Sequence, residues 1–272
     1  MNRRLLITGA GGFLGSRICE YFSGRDGYEA VGVTHRELDI EDFVAVSAFV
    51  KAIRPDYVLH CAAISNTGVC ERNPVLSEKV NVRGTVNLAK ACRKAGSRMI
   101  FTSSDQIYNT SHSLEPNREG SEGKPGNVYG RDKKRAEEAM LTYLPDAVAL
   151  RLTWLYDAPS RGRVAGQGLL QKLTDALKER REVEFPVHDY RGITYVWEVV
   201  RHLEEAMGLP GGVYNFGSEN RYNTFDTARL FLRELAGSDS GSILKCNDER
   251  FASCPRNLTM NTDKILSLIH IS

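Results

Sequence analysis

Short apolar runs alternate with stretches of helically spaced apolar residues through the first half of the chain. The runs predict buried strands at residues 4–8, 29–34, 57–61, 98–102 and 148–152. The spaced stretches predict helices at residues 16–22, 41–53, 74–95 and 129–143. Because strands that alternate with helices pair in parallel, the pattern predicts an α/β fold with a doubly wound parallel sheet. Such sheets bind their ligands beyond the carboxyl ends of the strands.

The pattern becomes less regular after about residue 155. Residues 111–127 are polar and contain several glycines and prolines, which predicts a loop over the edge of the sheet. We therefore expect a main doubly wound domain and a smaller second lobe. The main domain is assigned to residues 1–155, with 188–217 returning to it, and the second lobe to residues 156–187 and 218–272.

Composition and charge are those of an ordinary globular protein, with 42% hydrophobic and 26% charged residues. The 36 Lys and Arg residues nearly balance the 34 Asp and Glu residues, so the net charge of +2 provides no broad basic surface for nucleic acid. No apolar run is long enough to span a membrane, and the N-terminus lacks the pattern of a signal peptide. The cysteines and histidines show no disulfide or metal-ligand spacing. We expect a cytoplasmic protein that binds no metal.

Three glycines, Gly9, Gly12 and Gly15, separate the first predicted strand from the first predicted helix. Glycine allows the chain to turn tightly and its backbone to approach a pyrophosphate. The helix N-terminus then directs amide groups and a positive dipole end at that anion. This position favours a dinucleotide site, although glycine turns also occur for purely structural reasons.

Two further motifs place polar side chains where a ligand is expected. Tyr129 and Lys133 are one helical turn apart on one face, so the ammonium favours the phenolate and lowers the pKa of the tyrosine. Ser104 and Asp105 follow the fourth predicted strand, at the edge where such sheets carry their reacting groups. Taken alone, the first pair also fits a solvated helix surface, and the serine also fits a helix cap.

In this order and spacing, the three motifs together resemble the extended short-chain dehydrogenase/reductase superfamily, and more closely the dTDP-4-dehydrorhamnose reductase family. The resemblance runs from Leu5 to about Lys264. Supporting segments are Leu38-Asp39-Ile40, His60-Cys61-Ala62-Ala63, Asn81-Val82-Arg83-Gly84-Thr85, Ser103-Ser104-Asp105-Gln106-Ile107-Tyr108, Leu150-Arg151-Leu152-Thr153-Trp154-Leu155-Tyr156 and Pro255-Arg256-Asn257-Leu258. The resemblance implies a Rossmann fold whose main domain binds NADP and whose smaller lobe binds the substrate.

The resemblance also implies roles for individual residues. Ser104, Tyr129 and Lys133 would form the catalytic triad. The residues implied to bind the cofactor are Gly9, Gly12, Phe13, Leu14, Gly15, Asp39, Ile40, Ala62, Ala63, Tyr129 and Lys133. The residues expected to contact the substrate are Ser104, Asp105 and Trp154, with Trp154 as a wall of the sugar site.

The end of the second predicted strand bears on the choice of cofactor. An acidic residue there bonds the ribose 2′-hydroxyl in NAD enzymes and would repel a 2′-phosphate. Here no acid occurs before Glu37, and Arg36 can instead pair with a phosphate. We therefore predict that Arg36 binds NADP(H) in preference to NAD(H), with NAD(H) still possible. The alternative is that Arg36 is a solvated loop charge.

The sequence departs from the family pattern at several positions. Gln106 and Tyr108 stand where the family usually carries a tyrosine and a phenylalanine. Dehydratases of the superfamily carry a glutamate at the position of Gln106, and a neutral amide cannot replace that base, so dehydration is disfavoured. Residues 189–194 are a degraded version of the family's segment, which leaves the preferred sugar open.

Three functions stay open on the sequence. The leading hypothesis is an NADPH-dependent reductase of a 4-keto nucleotide sugar, with hydride from the nicotinamide and a proton from Tyr129. An NAD-dependent nucleotide-sugar epimerase would use the same triad but retain its cofactor. A third hypothesis is a dinucleotide-binding regulatory subunit without activity, because the regulatory β subunit of methionine adenosyltransferase belongs to the same family. A homodimer is compatible with each of them.

The C-terminal residues 266–272 differ from the ending typical of the family and resemble translated sequencing-adaptor sequence. Family members continue further into a final helix, so we expect a longer natural protein in which these last residues are absent. The alternative is an ordinary apolar tail that ends a helix.

Overall fold

The computed structural model describes residues 2–121, 123–158, 162–166, 168–236 and 243–268. Its strands are β1 Arg3–Thr8, β2 Tyr28–Val33, β3 Tyr57–His60, β4 Arg98–Ser104, β5 Val148–Leu152, β6 Trp154–Tyr156, β7 Val183–Pro186, β8 Asp189–Arg191, β9 Ile193–Tyr195, β10 Gly212–Phe216, β11 Leu244–Asn247 and β12 Arg256–Leu258. Its α-helices are α1 Phe13–Ser23, α2 Phe43–Ile53, α3 Thr67–Arg72, α4 Pro74–Glu78, α5 Thr85–Ala95, α6 Val128–Tyr143, α7 Leu169–Glu179, α8 Val196–Arg201, α9 Leu203–Met207, α10 Thr224–Ala236 and α11 Asp263–Leu266.

Six parallel strands form a central sheet in the order β10-β5-β4-β3-β1-β2. The chain leaves β1 for β2 on one side and returns to β3 on the other, so the strand order switches direction at β1. Helices α1, α8 and α9 bury one face of the sheet, and α2, α5 and α6 bury the other. These observations confirm the predicted α/β fold with a doubly wound parallel sheet.

Local sequence signals set the ends of the helices that flank the site. The Asp42 carboxylate accepts hydrogen bonds from two first-turn amides of α2, at 2.8 and 3.1 Å. Gly96 ends α5 in the left-handed conformation, with φ +72°. The Asn127 side chain accepts the N–H of Gly130 at 2.7 Å and thereby starts α6.

The five predicted strands are confirmed to within two residues at each end, and β5 has the predicted bounds. The helix predicted at 74–95 is interrupted, because Lys79–Gly84 form a π-helical turn between α4 and α5. Within this turn the Thr85 hydroxyl donates to the carbonyl of Asn81 at 2.7 Å. The short helix α3 was not predicted, and its start is fixed by the side chain of Asn66, which accepts the N–H of Val69.

The less regular second half builds a smaller cluster of elements. Helices α7 and α10 pack with the paired strands β7 and β11 around their own apolar cluster. That cluster contains Leu169, Leu173, Phe185, Ala228, Leu232 and Leu244. Two further strand pairs, β6 with β9 and β8 with β12, lie outside the central sheet, whereas β10 belongs to it. The division of the chain into two domains remains our proposal.

No helix within the described ranges is both long and apolar enough to cross a bilayer. The C-terminal segment that we expect to be foreign begins at the end of α11, and residues 269–272 lie outside the described part of the chain.

Candidate active site

The glycine loop joins β1 to α1 and contacts the loop that follows β3. Gly9 has φ +73°, and a Cβ atom there would lie 2.7 Å from the backbone nitrogen of Ala62, so a side chain does not fit. The N–H of Gly12 closes the turn on the carbonyl of Gly9 at 2.9 Å. A Cβ atom at Gly15 would overlap the same carbonyl, so Gly15 allows α1 to approach β1 closely.

The N-terminus of α1 leaves backbone donors at the edge of the sheet. Among the described residues, no side chain caps this helix. Its first-turn amides, including those of Phe13 and Leu14, have no intrahelical acceptor. Because the helix has 11 residues, its dipole adds a positive partial charge at this end. The loop and the helix together can hold a pyrophosphate.

The segment after β2 contains one cation that is free to bind a ligand. Arg36 is exposed, and in the part of the chain that the structure describes it makes no ion pair or hydrogen bond. The Glu37 carboxylate accepts the N–H and the hydroxyl of Thr34 at 2.7 and 2.9 Å, and these bonds hold the pKa of Glu37 below its usual value. Asp39 is also exposed, while Ile40 is buried against Gly84.

The segment after β3 is fixed by buried hydrogen bonds. His60 bonds Thr8 at 2.7 Å through Nδ1 and Thr85 at 3.0 Å through Nε2. Burial and the charge of Lys133 lower the pKa of this imidazole to about 3, so His60 is neutral. Ala62 and Ala63 follow as half-buried residues with small side chains, and the backbone of Ala62 lies against Gly9.

The carboxyl end of β4 meets the first turns of α6. The Ser104 hydroxyl accepts the N–H of Gln106 at 3.2 Å and bonds Asp105 at 3.2 Å. Tyr129 is buried, and the Ser104 hydroxyl lies close enough to lower the pKa of its phenol. Lys133 donates to the carbonyl of Thr102 at 2.7 Å, with its ammonium 5.8 Å from the centre of the Tyr129 ring. The structure therefore brings Ser104, Tyr129 and Lys133 to one edge.

The electrostatics of this edge differ from the sequence-based expectation in one respect. We expected Lys133 to lower the pKa of Tyr129, but burial and the carboxyl group of Asp105 raise it, and the Ser104 hydroxyl opposes them only in part. The reason is that the ammonium faces the Thr102 carbonyl rather than the phenol. Burial lowers the pKa of Lys133 itself to about 8. Tyr129 is therefore a protonated phenol and a hydrogen-bond donor here.

Asp105 is buried with one carboxyl oxygen available. Its Oδ1 bonds Ser104 and the side-chain amide of Gln106, the latter at 3.4 Å. Its Oδ2 has no hydrogen-bond partner within the described ranges. Burial raises the pKa of Asp105, while Arg191 and Arg256 act in the opposite direction. The free oxygen suits a hydroxyl donor from a ligand.

Both the nitrogen and the oxygen of the Gln106 side-chain amide form hydrogen bonds. Its oxygen accepts from the side chain of Asn127 at 2.9 Å, and Asn127 caps α6. Gln106 thus connects Asp105 to the start of the helix that carries Tyr129. It has no ionisable group with which to abstract a proton.

A cluster of cations from several segments surrounds Trp154. The Arg191 guanidinium lies 4.5 Å from the centre of the Trp154 ring, and the ammonium of Lys172 lies 5.7 Å from it. Arg191 is only 7% exposed, and its Nε has no hydrogen-bond partner among the described residues. Arg191 forms an ion pair with Asp189 at 3.7 Å, and the same carboxylate is bonded by Arg256 at 2.8 Å and by Thr224. Because two arginines share this carboxylate and Lys172 adds a further cation, positive charge is in excess, which suits an anionic ligand.

Burial lowers the pKa of Lys172, and the charges of Arg191 and Arg250 lower it further. Our sequence reasoning missed Lys172, Arg191, Arg250 and Arg256. Arg191 lies in the segment that we described as a degraded family pattern, and Arg256 in a supporting segment, but no spacing rule joins them to Lys172. Only the tertiary packing brings these cations together.

Comparison with known proteins identifies the family. The family model described as "RmlD substrate binding domain" matches residues 3–272. The chain belongs to this family. The result confirms the resemblance to dTDP-4-dehydrorhamnose reductases that the sequence motifs indicated.

Individual relatives and a solved structure agree with this membership. The dTDP-4-dehydrorhamnose reductase of Mycolicibacterium smegmatis is 30% identical over 260 residues, covering 92% of this chain and 74% of that protein. The dTDP-4-keto-6-deoxy-D-glucose reductase of Streptomyces niveus is 31% identical over 255 residues, covering 93% and 85%. The Xenopus laevis methionine adenosyltransferase 2 subunit beta is 26% identical over 266 residues, covering 94% and 78%.

A Bacillus anthracis dTDP-4-dehydrorhamnose reductase, solved in complex with NADP, has the same fold. The two structures superpose with a TM-score of 0.86 at 22% identity, over 98% of this chain and 93% of the other.

Proposed function

We propose that this member of the RmlD family is an NADPH-dependent reductase of a 4-keto nucleotide sugar. The observation that carries the proposal is the convergence of Ser104, Tyr129 and Lys133 at the carboxyl end of β4, beside the glycine loop. Hydroxyl donors placed together at this edge suit a carbonyl group that gains negative charge as it is reduced.

The residues at the switch in strand order fit a dinucleotide. Gly9 lets the loop pack directly against the backbone of Ala62, and the first turn of α1, which has no side-chain cap among the described residues, supplies amides for a pyrophosphate. Arg36 is free to pair with a 2′-phosphate, while the Glu37 carboxylate accepts hydrogen bonds from Thr34. When bound, NADPH supplies the hydride for the carbonyl carbon. The remaining residues that we assign to the cofactor are Gly12, Phe13, Leu14, Gly15, Asp39, Ile40, Ala63, Tyr129 and Lys133.

The proton for the carbonyl oxygen comes from Tyr129 in this proposal. Its raised pKa keeps the phenol protonated until negative charge develops beside it. The Ser104 hydroxyl orients and polarises the same oxygen. Lys133, with its pKa lowered to about 8, supplies a nearby cation and a donor for a ribose hydroxyl.

Asp105 and Trp154 are assigned to the sugar, and the cations beside Trp154 to the phosphoryl groups of its nucleotide. The free Oδ2 of Asp105 can accept a sugar hydroxyl. Arg191 and Lys172 can bind a diphosphate, which balances the excess positive charge at this site. Dehydration stays disfavoured because Gln106 is committed to Asp105 and Asn127 and has no basic group.

Mixing the purified protein with NADPH and a dTDP-4-keto-6-deoxy sugar tests the proposal. We expect the nicotinamide absorbance to fall and a 4-hydroxy sugar nucleotide to appear. An unchanged absorbance across dTDP-, UDP- and GDP-linked 4-keto sugars would exclude the reductase. Cofactor that co-purifies tightly as NAD would favour the epimerase.

A regulatory subunit is the second candidate, because the Xenopus laevis relative is named as a subunit of methionine adenosyltransferase. It predicts dinucleotide binding without turnover, together with capture of a methionine adenosyltransferase catalytic subunit. We further place the protein in the cytoplasm and retain the homodimer as a proposal, which light scattering of the purified protein tests.

A further inference from the structure

Asp132 is a buried acid on the helix of the proposed catalytic residues, and the proposed reaction gives its carboxylate no role. Its side chain is 5% exposed. The hydroxyl of Ser77, which is fully buried on α4, donates to Asp132 Oδ2 at 2.6 Å. Arg135 lies 3.9 Å from the other carboxyl oxygen. A buried carboxylate is costly unless it is bonded, so the Ser77 contact fixes where α6 can sit against α4.

Ser77 also connects to the loop that follows β3. Its hydroxyl accepts from the side-chain amide of Asn81 at 3.2 Å. The same side chain accepts the N–H of Ile64 at 2.9 Å and donates to the Ile64 carbonyl at 3.1 Å. Ile64 packs in one apolar cluster with Tyr129. A continuous buried chain therefore joins Asp132 to the segment beside the proposed cofactor site.

We propose that the Ser77–Asp132 hydrogen bond is a latch that positions Tyr129 and Lys133 for the reaction, an inference that rests on the proposed function. Asp132 precedes Lys133 by one residue and follows Tyr129 by three, so holding it fixes the rotation of this part of α6 about its axis. Displacing a catalytic group by about 1 Å can lower turnover by about 100-fold. Ser77 and Asp132 act through their neighbours and are positioning residues.

The chain offers a matched control for removing the Ser77 hydroxyl. Ser97 is also buried, and its hydroxyl also makes a 2.6 Å bond, to the carbonyl of Pro55. It lies before β4, at the opposite end of the sheet from the proposed site. Ser77→Ala and Ser97→Ala therefore each remove one short, buried hydrogen bond that the serine donates, and only the bond of Ser77 belongs to the latch. Ser77→Ala also removes the longer bond that Ser77 accepts from Asn81.

We expect Ser77→Ala to lower kcat about tenfold or more while the KM for NADPH changes by less than about threefold. Ser97→Ala should lower the melting temperature about as much as Ser77→Ala does, but keep kcat within about twofold of the wild type. Equal changes of kcat in the two variants would show that Ser77 is merely structural and would overturn the proposal.

The conservative replacement at Asp132 separates the hydrogen bond from general loss of packing. Asp132→Asn keeps an oxygen that can accept from Ser77, so kcat should stay within about threefold of the wild type. Asp132→Ala removes the acceptor, so its kcat should fall as far as that of Ser77→Ala. An Asn variant as impaired as the Ala variant would contradict a latch made by this hydrogen bond.

Hydrogen exchange tests the latch without substrate. In Ser77→Ala we expect the amides of residues 131–135 and the amide of Ile64 to exchange about tenfold faster, whereas Ser97→Ala leaves them unchanged. If the wild type were inactive, the proposed function would be overturned, but the exchange experiment would still test the latch. Unchanged exchange in Ser77→Ala would overturn the latch itself.

Discussion

The two sides of the candidate site are built in different ways. On the sheet side, the glycine loop, Ser104 and the Tyr129–Lys133 pair each lie at a single strand end or helix start. The other side, which we call the lobe side, consists of Trp154 and the cations around it, Lys172, Arg191 and Arg250, which come from distant segments that meet only through packing. The first side can therefore be specified by a few local residues, whereas the second depends on how the smaller cluster of elements docks.

The two sides also differ in how their charges are satisfied. Lys133 is buried but donates to the carbonyl of Thr102, so it has a partner within the protein. Arg191 is also buried and lies 3.7 Å from the Asp189 carboxylate, but its Nε has no hydrogen-bond partner in the described residues. The comparison shows that the buried cation of the sheet side is hydrogen-bonded within the protein, whereas we propose that the lobe side is completed by an anionic ligand.

The largest effect should come from Tyr129→Phe, on the sheet side. This change keeps the ring and removes the proton donor. Loss of general acid catalysis should lower kcat by about 10²- to 10⁴-fold while NADPH binding is nearly unchanged. Stopped-flow measurement of NADPH oxidation gives the change in turnover. Fluorescence titration with NADPH is the control for binding. Near-full activity would mean that the proton has another source.

Lys133 should reveal its burial in the pH dependence of stability. Its pKa is lowered from 10.5 to about 8. Between these values the unfolded chain binds more protons than the folded protein, so this residue's contribution to the free energy of unfolding increases as pH rises through the window. The full change corresponds to about 3 kcal/mol.

We expect the difference in unfolding free energy between wild type and Lys133→Met to increase from pH 8 to pH 10.5, in favour of wild type. Denaturant titrations across this range measure it. Because both proteins share every other titrating group, a flat difference would refute the lowered pKa.

The lobe side should respond in substrate affinity rather than in turnover. Arg191→Ala removes a charged donor from the proposed phosphoryl contact, so the KM for the nucleotide sugar should rise about 10- to 100-fold with kcat little changed. The control is Arg229→Ala, which removes an exposed arginine of α10 that pairs with Asp226. Steady-state kinetics of both variants decide the point. A fall in kcat with an unchanged KM would show that Arg191 acts in the reaction rather than in binding the nucleotide sugar.

The smallest effect is expected at Arg36. Arg36→Ala should weaken NADPH binding about tenfold and leave NADH binding within about twofold, because only NADPH carries the 2′-phosphate. Fluorescence titrations with both cofactors measure this. Equal losses for the two cofactors would assign Arg36 to the solvated surface.

The sheet side could be predicted from the sequence because its determinants are local. Gly9 and Gly15 occupy positions where a side chain would collide with the backbone, and such positions are visible as a glycine pattern. The one error there, the pKa of Tyr129, came from treating the helical spacing of Lys133 as proximity of charge. The ammonium can turn away from the phenol, and burial then dominates.

The lobe side could not be predicted for a different reason. Arg191 lies in a segment whose sequence shows no regular pattern. Its stacking on Trp154 results from the pairing of β6 with β9, which follows β8 in the chain. The π-helical turn that breaks the predicted long helix is equally non-local, since Gly84 packs against Ile40 of another segment. Periodicity predicts which elements form but not such contacts between them.

The central claim is that hydride and proton are added to one carbonyl group at the sheet edge, and isotope transfer tests it most directly. The protein is incubated with NADPH that carries deuterium at the transferable position, together with a dTDP-4-keto-6-deoxy sugar, and the product is examined by mass spectrometry and NMR. We predict deuterium on carbon 4 of the product sugar, with one NADPH consumed for each sugar reduced. A product without deuterium, or a changed sugar formed without net consumption of NADPH, would contradict the account.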